Sequence, residues 1–173
     1  LPDVFAPLQQ LVAAGYRLVM VTNQDGLGTS SFPREQFEAP QDFVVDTLAS
    51  QGIRFDAICI CPHRPADGCE CRKPKAALVK DYLAATTIDL ARSAVIGDRV
   101  TDMQFAGNLG IRGLRVLKDG TVAETWPAIA HELLARRARV QRKTKETDIR
   151  IEVDLDAEDP IHVDSGQGFF NHM

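Results

Sequence analysis

From Leu8 to about Val116 the chain switches repeatedly between two hydrophobic periods. Leu8, Leu11 and Val12 keep helical spacing after Pro7, which a first turn tolerates, and Gly15 supplies the stop. Tyr16 to Thr22 then reads as a buried strand. A second helix is expected from about Glu35 to Ser50, broken or delayed by Pro40 and ended by Gly52, with a strand from Phe55 to Cys61 behind it. Pro74 suits the first position of a helix over Lys75 to Ala84. Ser93 to Gly97 is a third strand, short and rich in small apolar residues; Thr101 to Leu109 is helical before Gly110, and Ile111 to Val116 is a fourth strand. Strands alternating with helices predict parallel βαβ units in an open, doubly wound α/β sheet. In such a sheet ligands bind beyond the carboxyl ends of the strands.

The pattern changes beyond Leu134. Arg136, Arg137, Arg139, Arg142, Lys143 and Lys145 form a basic run. Ile149, Ile151, Val153 and Leu155 then alternate with Asp148, Arg150, Glu152 and Asp154, as in a strand with one buried face. Asp159-Pro160 makes a turn, after which Ile161 to Val163 could pair back as a hairpin. Residues 1–136 are therefore expected to form one domain and 137–173 the opening of another, with antiparallel strands. Both ends read as cut, since the first residue is Leu1 and the chain stops at Met173 soon after Phe169 and Phe170.

Composition narrows the function classes. The 173 residues are 45% hydrophobic and 25% charged, which disfavours disorder and fibrous structure. A net charge of −4 argues against nucleic acid as the main partner. The longest apolar runs, Leu18 to Val21 and Ala57 to Cys61, are far too short to cross a bilayer, and no signal peptide opens the chain. All four cysteines, Cys59, Cys61, Cys69 and Cys71, lie within thirteen residues. Such clustering points to a reduced compartment, hence the cytoplasm, and to a local metal site.

Cys61-Pro-His63-Arg-Pro-Ala-Asp-Gly-Cys69-Glu-Cys71 supplies three thiolates and an imidazole, the donor set of a closed structural Zn²⁺ site. The bland alternative is a group of small buried thiols beside a surface histidine, and Cys59, inside a strand, fits that description. Thr22 and Asn23 end a strand with a hydroxyl and an amide, suited to a phosphate, although Thr-Asn at such a place also makes an ordinary turn. Lys73, in Arg72-Lys73-Pro74 at an expected helix start, adds a positive charge that favours a phosphoryl group, or is merely a solvated cation. Asp98 follows a strand directly and Asp102 lies four residues on, so both can face one site; hard oxygen ligands beside a phosphate suit Mg²⁺. Asp98 could instead be a helix cap.

In this order the motifs resemble the haloacid dehalogenase (HAD) superfamily of phosphohydrolases. Thr22-Asn23-Gln24-Asp25-Gly26-Leu27-Gly28-Thr29 with Ser31-Phe32-Pro33, the cysteine loop running into Arg72-Lys73-Pro74, and Gly97-Asp98-Arg-Val-Thr-Asp102 are similar to the histidinol-phosphate phosphatase half of bifunctional histidine biosynthesis proteins. Arg139-Val-Gln-Arg-Lys-Thr-Lys-Glu146-Thr-Asp-Ile and Gly166-Gln-Gly-Phe-Phe-Asn-His172-Met resemble the start of the α+β imidazoleglycerol-phosphate dehydratase that follows it. The resemblance implies a HAD-like Rossmannoid sheet with a zinc loop, acting on a small phosphorylated substrate. In that family an aspartate attacks phosphorus, and water hydrolyses the aspartyl-phosphate. Thr22 and Asn23 would hold the phosphate, Lys73 would stabilise the intermediate, Asp98 would bind Mg²⁺ and Asp102 would orient its neighbours.

The family's nucleophile belongs to an Asp-x-Asp motif on a central first strand, which none of these segments carries. The polypeptide as given is therefore expected to be inactive and to have two strand edges without a neighbour. Asp154-Leu-Asp156 has the right spelling but lies in the dehydratase-like segment, where solvated carboxylates are expected. Glu146 and His172 match Mn²⁺ ligands of the dehydratase family, with Asn171 in place of the aspartate usual there. Self-association is expected only through a complete dehydratase domain. The rival expectations are a heptose-bisphosphate phosphatase, which shares the zinc loop, and a zinc-stabilised binding module without catalysis.

Overall fold

The computed structural model describes residues 3–117 and 119–156. They fall into two compact units, the first ending at Leu134 and the second beginning at Ala135. In the first unit the elements are α1 (Phe5–Ala13), β1 (Leu18–Asn23), α2 (Arg34–Ser50), β2 (Phe55–Cys61), α3 (Lys80–Ala85), β3 (Ala94–Gly97), α4 (Val100–Leu109), β4 (Arg112–Arg115) and α5 (Trp126–Leu134). The architecture is α/β with parallel strand pairs. Its core is a cluster of Leu8 and Leu11 from α1, Ile53 before β2, Val116 after β4, and Ile129, Ala130 and Leu133 from α5. The Tyr16 hydroxyl donates to the Leu133 carbonyl at 2.8 Å and ties the start of β1 to the end of α5.

β1 pairs with β2 in parallel, from Leu18 opposite Phe55 to Asn23 opposite Cys61, and β3 pairs with β4 in parallel, from Ala94 opposite Arg112 to Gly97 opposite Arg115. The two pairs do not join into one sheet among the described residues. Leu18–Val21 of β1 and Ala94–Ile96 of β3 instead both line one cavity of about 880 Å³. This explains why β1, expected to be buried, is half-exposed at every position.

The expectations for two prolines need correction. Pro40 neither breaks nor delays α2, which runs through it without interruption. No residue of α2 is buried, so the carbonyl that loses its partner at Pro40 can turn to water. Pro74 does not open a helix. Both the N–H and the carbonyl of Lys73 are taken by the Asn23 side chain, and the Lys75 N–H closes a turn onto the Arg72 carbonyl at 2.9 Å. The helical ladder begins only with a 3₁₀ turn at Ala77–Val79 and α3 at Lys80.

The second unit is a hairpin of β5 (Arg137–Lys143) and β6 (Asp148–Asp154), antiparallel, with Arg137 opposite Asp154 and Lys143 opposite Asp148. The basic run is thus itself a strand. Its cations face the carboxylates of β6, Arg137 at 2.7 Å from Asp154 and Lys143 at 3.8 Å from Asp148, and just beyond the strands Arg136 lies 2.7 Å from Asp156. The carboxylates of Asp154-Leu-Asp156 are paired rather than simply solvated. A backbone N–H from Asp156, with the Arg137 guanidinium, holds the Asp154 carboxyl below its ordinary value. The apolar positions of β6 stay exposed, against the expectation of one buried face. Glu146 sits exposed in the connecting loop. The proposed Ile161 to Val163 strand and His172 lie outside the described residues.

Gly97, the last residue of β3, is needed for close approach. A Cβ there would stand 2.4 Å from Asp102 Oδ2, and that carboxylate is fixed by the Arg99 N–H at 3.1 Å and Lys73 Nζ at 2.8 Å. Gly97→Ala is expected to lower stability by about 1–3 kcal/mol in urea melts. Gly107→Ala, at an exposed position of α4 with nothing within 4 Å, is expected to be neutral or stabilising by up to ~1 kcal/mol. Equal effects would refute the contact.

Candidate active site and metal centre

The carboxyl ends of β1 and β3 converge on Lys73. Asn23, the last residue of β1, brackets the lysine backbone: its Nδ2 donates to the Lys73 carbonyl at 3.3 Å, and its Oδ1 accepts from the Lys73 N–H at 3.1 Å. The side chain of Lys73 then reaches back so that Nζ donates to the Val21 carbonyl at 2.7 Å and sits 2.8 Å from Asp102 Oδ1. Both side chains are mostly shielded, at 15% and 6% exposure, so this is an interior ion pair. The ammonium is poorly aligned on Oδ1, which has no well-directed hydrogen bond. Oδ2 is better served, closing the first turn of α4 by accepting from the Arg99 N–H.

That cap settles one alternative. Arg99 is the residue that enters α4, and Asp102 supplies the capping carboxylate, so Asp98 is not the cap. Asp98 is exposed directly after β3 and has no hydrogen bond or ion pair to another described residue. Its oxygens are available to a hard cation. Thr22 is half-buried, and its Oγ1 accepts from Gln24 Nε2 at 3.0 Å, leaving the hydroxyl proton free to donate. The Asn23 amide, in contrast, is spent at both ends on Lys73. The side chain that was expected to hold phosphate here holds the lysine.

The second centre lies beside the first. Cys61 ends β2 and is fully buried, while His63, Cys69 and Cys71 come from the loop that follows. Their ligand atoms all lie within 4.8 Å of one another. The sulfur pairs are 3.3, 3.5 and 3.7 Å apart, and His63 Nδ1 lies 3.1 Å from Cys71 and 3.7 Å from Cys61. Four donors around one tetrahedral Zn²⁺, with Zn–S near 2.3 Å and Zn–N near 2.0 Å, would be separated by about 3.5–3.8 Å. The donor set and its spacing fit that ion, and with four protein ligands the coordination would be closed. Burial and the adjoining thiols of Cys61 and Cys69 push Cys71 up to about 12. At Cys69 desolvation also opposes ionisation, but hydrogen bonds from Cys71, the Arg72 backbone and Cys61 outweigh it and draw the thiol below its ordinary value. Cys59 stands apart in β2, its thiol raised by burial alone.

The loop is shaped by a 3₁₀ turn at Pro65–Asp67 and by Gly68 in the left-handed region at φ 63°. It is also clamped to the turn after β1. The Gln24 and Gly26 N–H groups donate to the Cys61 and Pro62 carbonyls at 2.8 Å each, and Arg64 donates to Ser31 Oγ at 2.6 Å. Arg72 forms a bidentate ion pair with Asp25 and donates to the His63 carbonyl at 3.1 Å. Sequence reasoning missed Arg72, Asp25, Arg64 and Ser31 as structural partners. Their separations of 33 and 47 residues leave no periodic signal.

The HAD-hydrolase-like family matches residues 70–136. The chain is 48% identical over 167 residues to the histidine biosynthesis bifunctional protein HisB of Actinobacillus pleuropneumoniae, covering 91% of this chain and 45% of that protein. It is 49% identical over 173 residues to HisB of Xanthomonas oryzae, covering 98% of this chain and 46% of the relative. The chain thus spans a little under half the length of these relatives. Among solved structures, the D,D-heptose 1,7-bisphosphate phosphatase of B. bronchiseptica, complexed with magnesium and phosphate, is similar with TM-score 0.66 and 34% identity, over 78% of this chain and 83% of that one. A HAD-like phosphatase described as putative, from Mesorhizobium loti, is similar with TM-score 0.60 and 27% identity, over 70% of this chain and 61% of that one.

The metal centre is testable directly. Purified chain is expected to carry one Zn²⁺ by elemental analysis, and a strong chelator should open the 62–76 loop to proteolysis. Cys71→Ser should weaken Zn²⁺ binding by at least ~100-fold, since even groups behind a ligand can cost ~10–100-fold. Cys59→Ser should leave the metal content unchanged; its loss there would show the ligand set to be wrong.

Proposed function

The chain belongs to the HAD-like phosphatases, matching the HAD phosphatase part of the HisB proteins, and from that premise we propose that it acts in histidine biosynthesis on histidinol phosphate. Residues 1–136 are read as the phosphatase domain and 137–173 as the start of a dehydratase domain. Asp98 would hold Mg²⁺, which when bound supplies charge neutralisation and orientation for the phosphoryl group. Thr22 donates its hydroxyl to a phosphate oxygen. Lys73 offsets negative charge on the transferring group, and Asp102 keeps the lysine in place. Asn23 acts through Lys73, by fixing the backbone from which the ammonium is aimed.

The observation that carries this reading is the meeting of Asn23, Lys73 and Asp102 beside an uncommitted Asp98. A zinc-stabilised binding module has no need for a buried lysine–aspartate pair at the ends of two parallel strands. No strand of the parallel pairs carries Asp-x-Asp, so the attacking carboxylate is not supplied by these residues. The linked dehydration of imidazoleglycerol phosphate, with Glu146 and His172 toward Mn²⁺, belongs to the protein in which the second domain is complete. Self-association is assigned to that same complete domain. A second reading, a heptose-bisphosphate phosphatase, is favoured by the shared fold and the magnesium- and phosphate-bound relative.

The 173-residue chain is expected to release no more phosphate from histidinol phosphate or heptose bisphosphate in Mg²⁺ than its Lys73→Ala variant does. Turnover well above that level would sink the assignment of the nucleophile elsewhere. Inorganic phosphate binding, followed by calorimetry, is expected to require Mg²⁺ and to weaken about tenfold or more in Asp98→Asn and in Lys73→Ala. Binding indifferent to Mg²⁺ would overturn the role of Asp98.

A further inference from the structure

One charged side chain beside the cysteine loop belongs neither to the candidate ligand set nor to the strand ends around Lys73. Lys75 lies four residues beyond Cys71, and its backbone N–H closes a turn onto the Arg72 carbonyl at 2.9 Å. From there the side chain turns back over the loop. Its Nζ donates to the Cys69 carbonyl at 2.9 Å, to the Gly68 carbonyl at 3.4 Å and to Glu70 Oε1 at 2.8 Å, which uses all three ammonium donors. Among the described residues no backbone N–H reaches either carbonyl. The lysine is thus the donor that orients the two peptide groups on either side of the Cys69 thiol.

An ion pair with Glu70 does not by itself account for this arrangement. Both side chains are exposed, and such a pair contributes little alone. What sets Lys75 apart is the place where its charge lies. Three thiolates and a neutral imidazole around a divalent ion leave one net negative charge, and the arginines of the same loop are engaged elsewhere, Arg72 with Asp25 and Arg64 with Ser31. The Lys75 ammonium is held above its ordinary value, first by the Glu70 hydrogen bond, against desolvation, and then by the charges of Cys69 and Cys71. That attraction is mutual. We propose that Lys75 is a positioning residue of the metal centre, whose ammonium orients the backbone around Cys69 and offsets the excess negative charge of a three-thiolate Zn²⁺ site, slowing loss of the metal. It coordinates nothing itself. The inference rests on the metal centre and not on the phosphatase reading.

The test follows Zn²⁺ release from the 173-residue chain into excess colorimetric chelator, with the visible spectrum of the Co²⁺-loaded chain as a check on the ligand set. Lys75→Met is expected to release Zn²⁺ about tenfold faster, at the lower end of the range for groups behind a ligand. Its Co²⁺ form should keep the absorption intensity of a tetrahedral thiolate site, so that neither a lost ligand nor a lost fold explains the rate. Lys75→Arg keeps the charge and the donors and should return the rate to within about threefold of the unsubstituted chain. Glu70→Gln should release the metal no faster, since the lysine remains. Lys80→Met removes an equal charge from an exposed position five residues on and should change nothing. An unchanged rate in Lys75→Met, equal acceleration by Glu70→Gln or Lys80→Met, no rescue by arginine, or a collapsed Co²⁺ spectrum each overturns the proposal. A chain that takes up no Zn²⁺ overturns it together with the metal centre, whereas a failure of Mg²⁺-dependent phosphate binding removes the phosphatase assignment and leaves this inference standing.

Discussion

The position of Lys73 is the constraint through which the parts of the site are held together. Its backbone is gripped by Asn23, its ammonium touches Val21 and Asp102, and its neighbour Arg72 is pinned by Asp25. Three segments distant in sequence thereby share one residue: β1, the cysteine loop and α4. An interior ion pair of this kind is weak evidence for stability, because desolvating both charges can cost as much as their attraction returns. Its value lies in geometry. Removing either partner would leave the other charge buried and uncompensated, so the pair constrains where β1 and α4 can sit.

The cysteine loop serves the same constraint from the other side. It begins at buried Cys61 and returns its last candidate ligand, Cys71, two residues before Lys73. A metal drawing Cys61 and Cys71 together would fix both ends of the excursion, and hence the start of the segment that carries the lysine. The contacts of Arg64 to Ser31 and Arg72 to Asp25 extend that hold to the turn after β1. Without such a staple, the run from Cys61 to Ala76 would be held by its backbone bonds to the turn after β1, the contacts of Lys73, one short 3₁₀ turn and exposed side-chain contacts.

What was legible in the sequence follows from the range of the forces involved. The bounds of β2, the site-bearing ends of β1 and β3, and the cysteine–histidine cluster are set by local apolar runs and short spacings, and they are where the sequence places them. The failures are tertiary. Pro40 is tolerated because α2 is exposed. Pro74 fails to start a helix because Asn23, fifty residues earlier, has claimed the backbone of Lys73. The basic run of the second unit is a strand because its cations meet Asp154 and Asp148 across a hairpin, a pairing that charge counting alone presents as a solvated face.

The distribution of charge at the strand ends gives a reason for the order in which ligands would enter. Lys73 is engaged with Asp102 and Arg72 with Asp25, so two cations in reach of the site are already compensated. Asp98 is exposed and has no partner among the described residues. On the proposed reading, a phosphate dianion would meet the Asp98 carboxylate beside a lysine and an arginine that already have counter-ions. A divalent cation on Asp98 reverses the sign of that encounter. The ion pair that positions Lys73 also offsets its charge, so on the proposed reading a cation at Asp98 would help to attract the phosphoryl group.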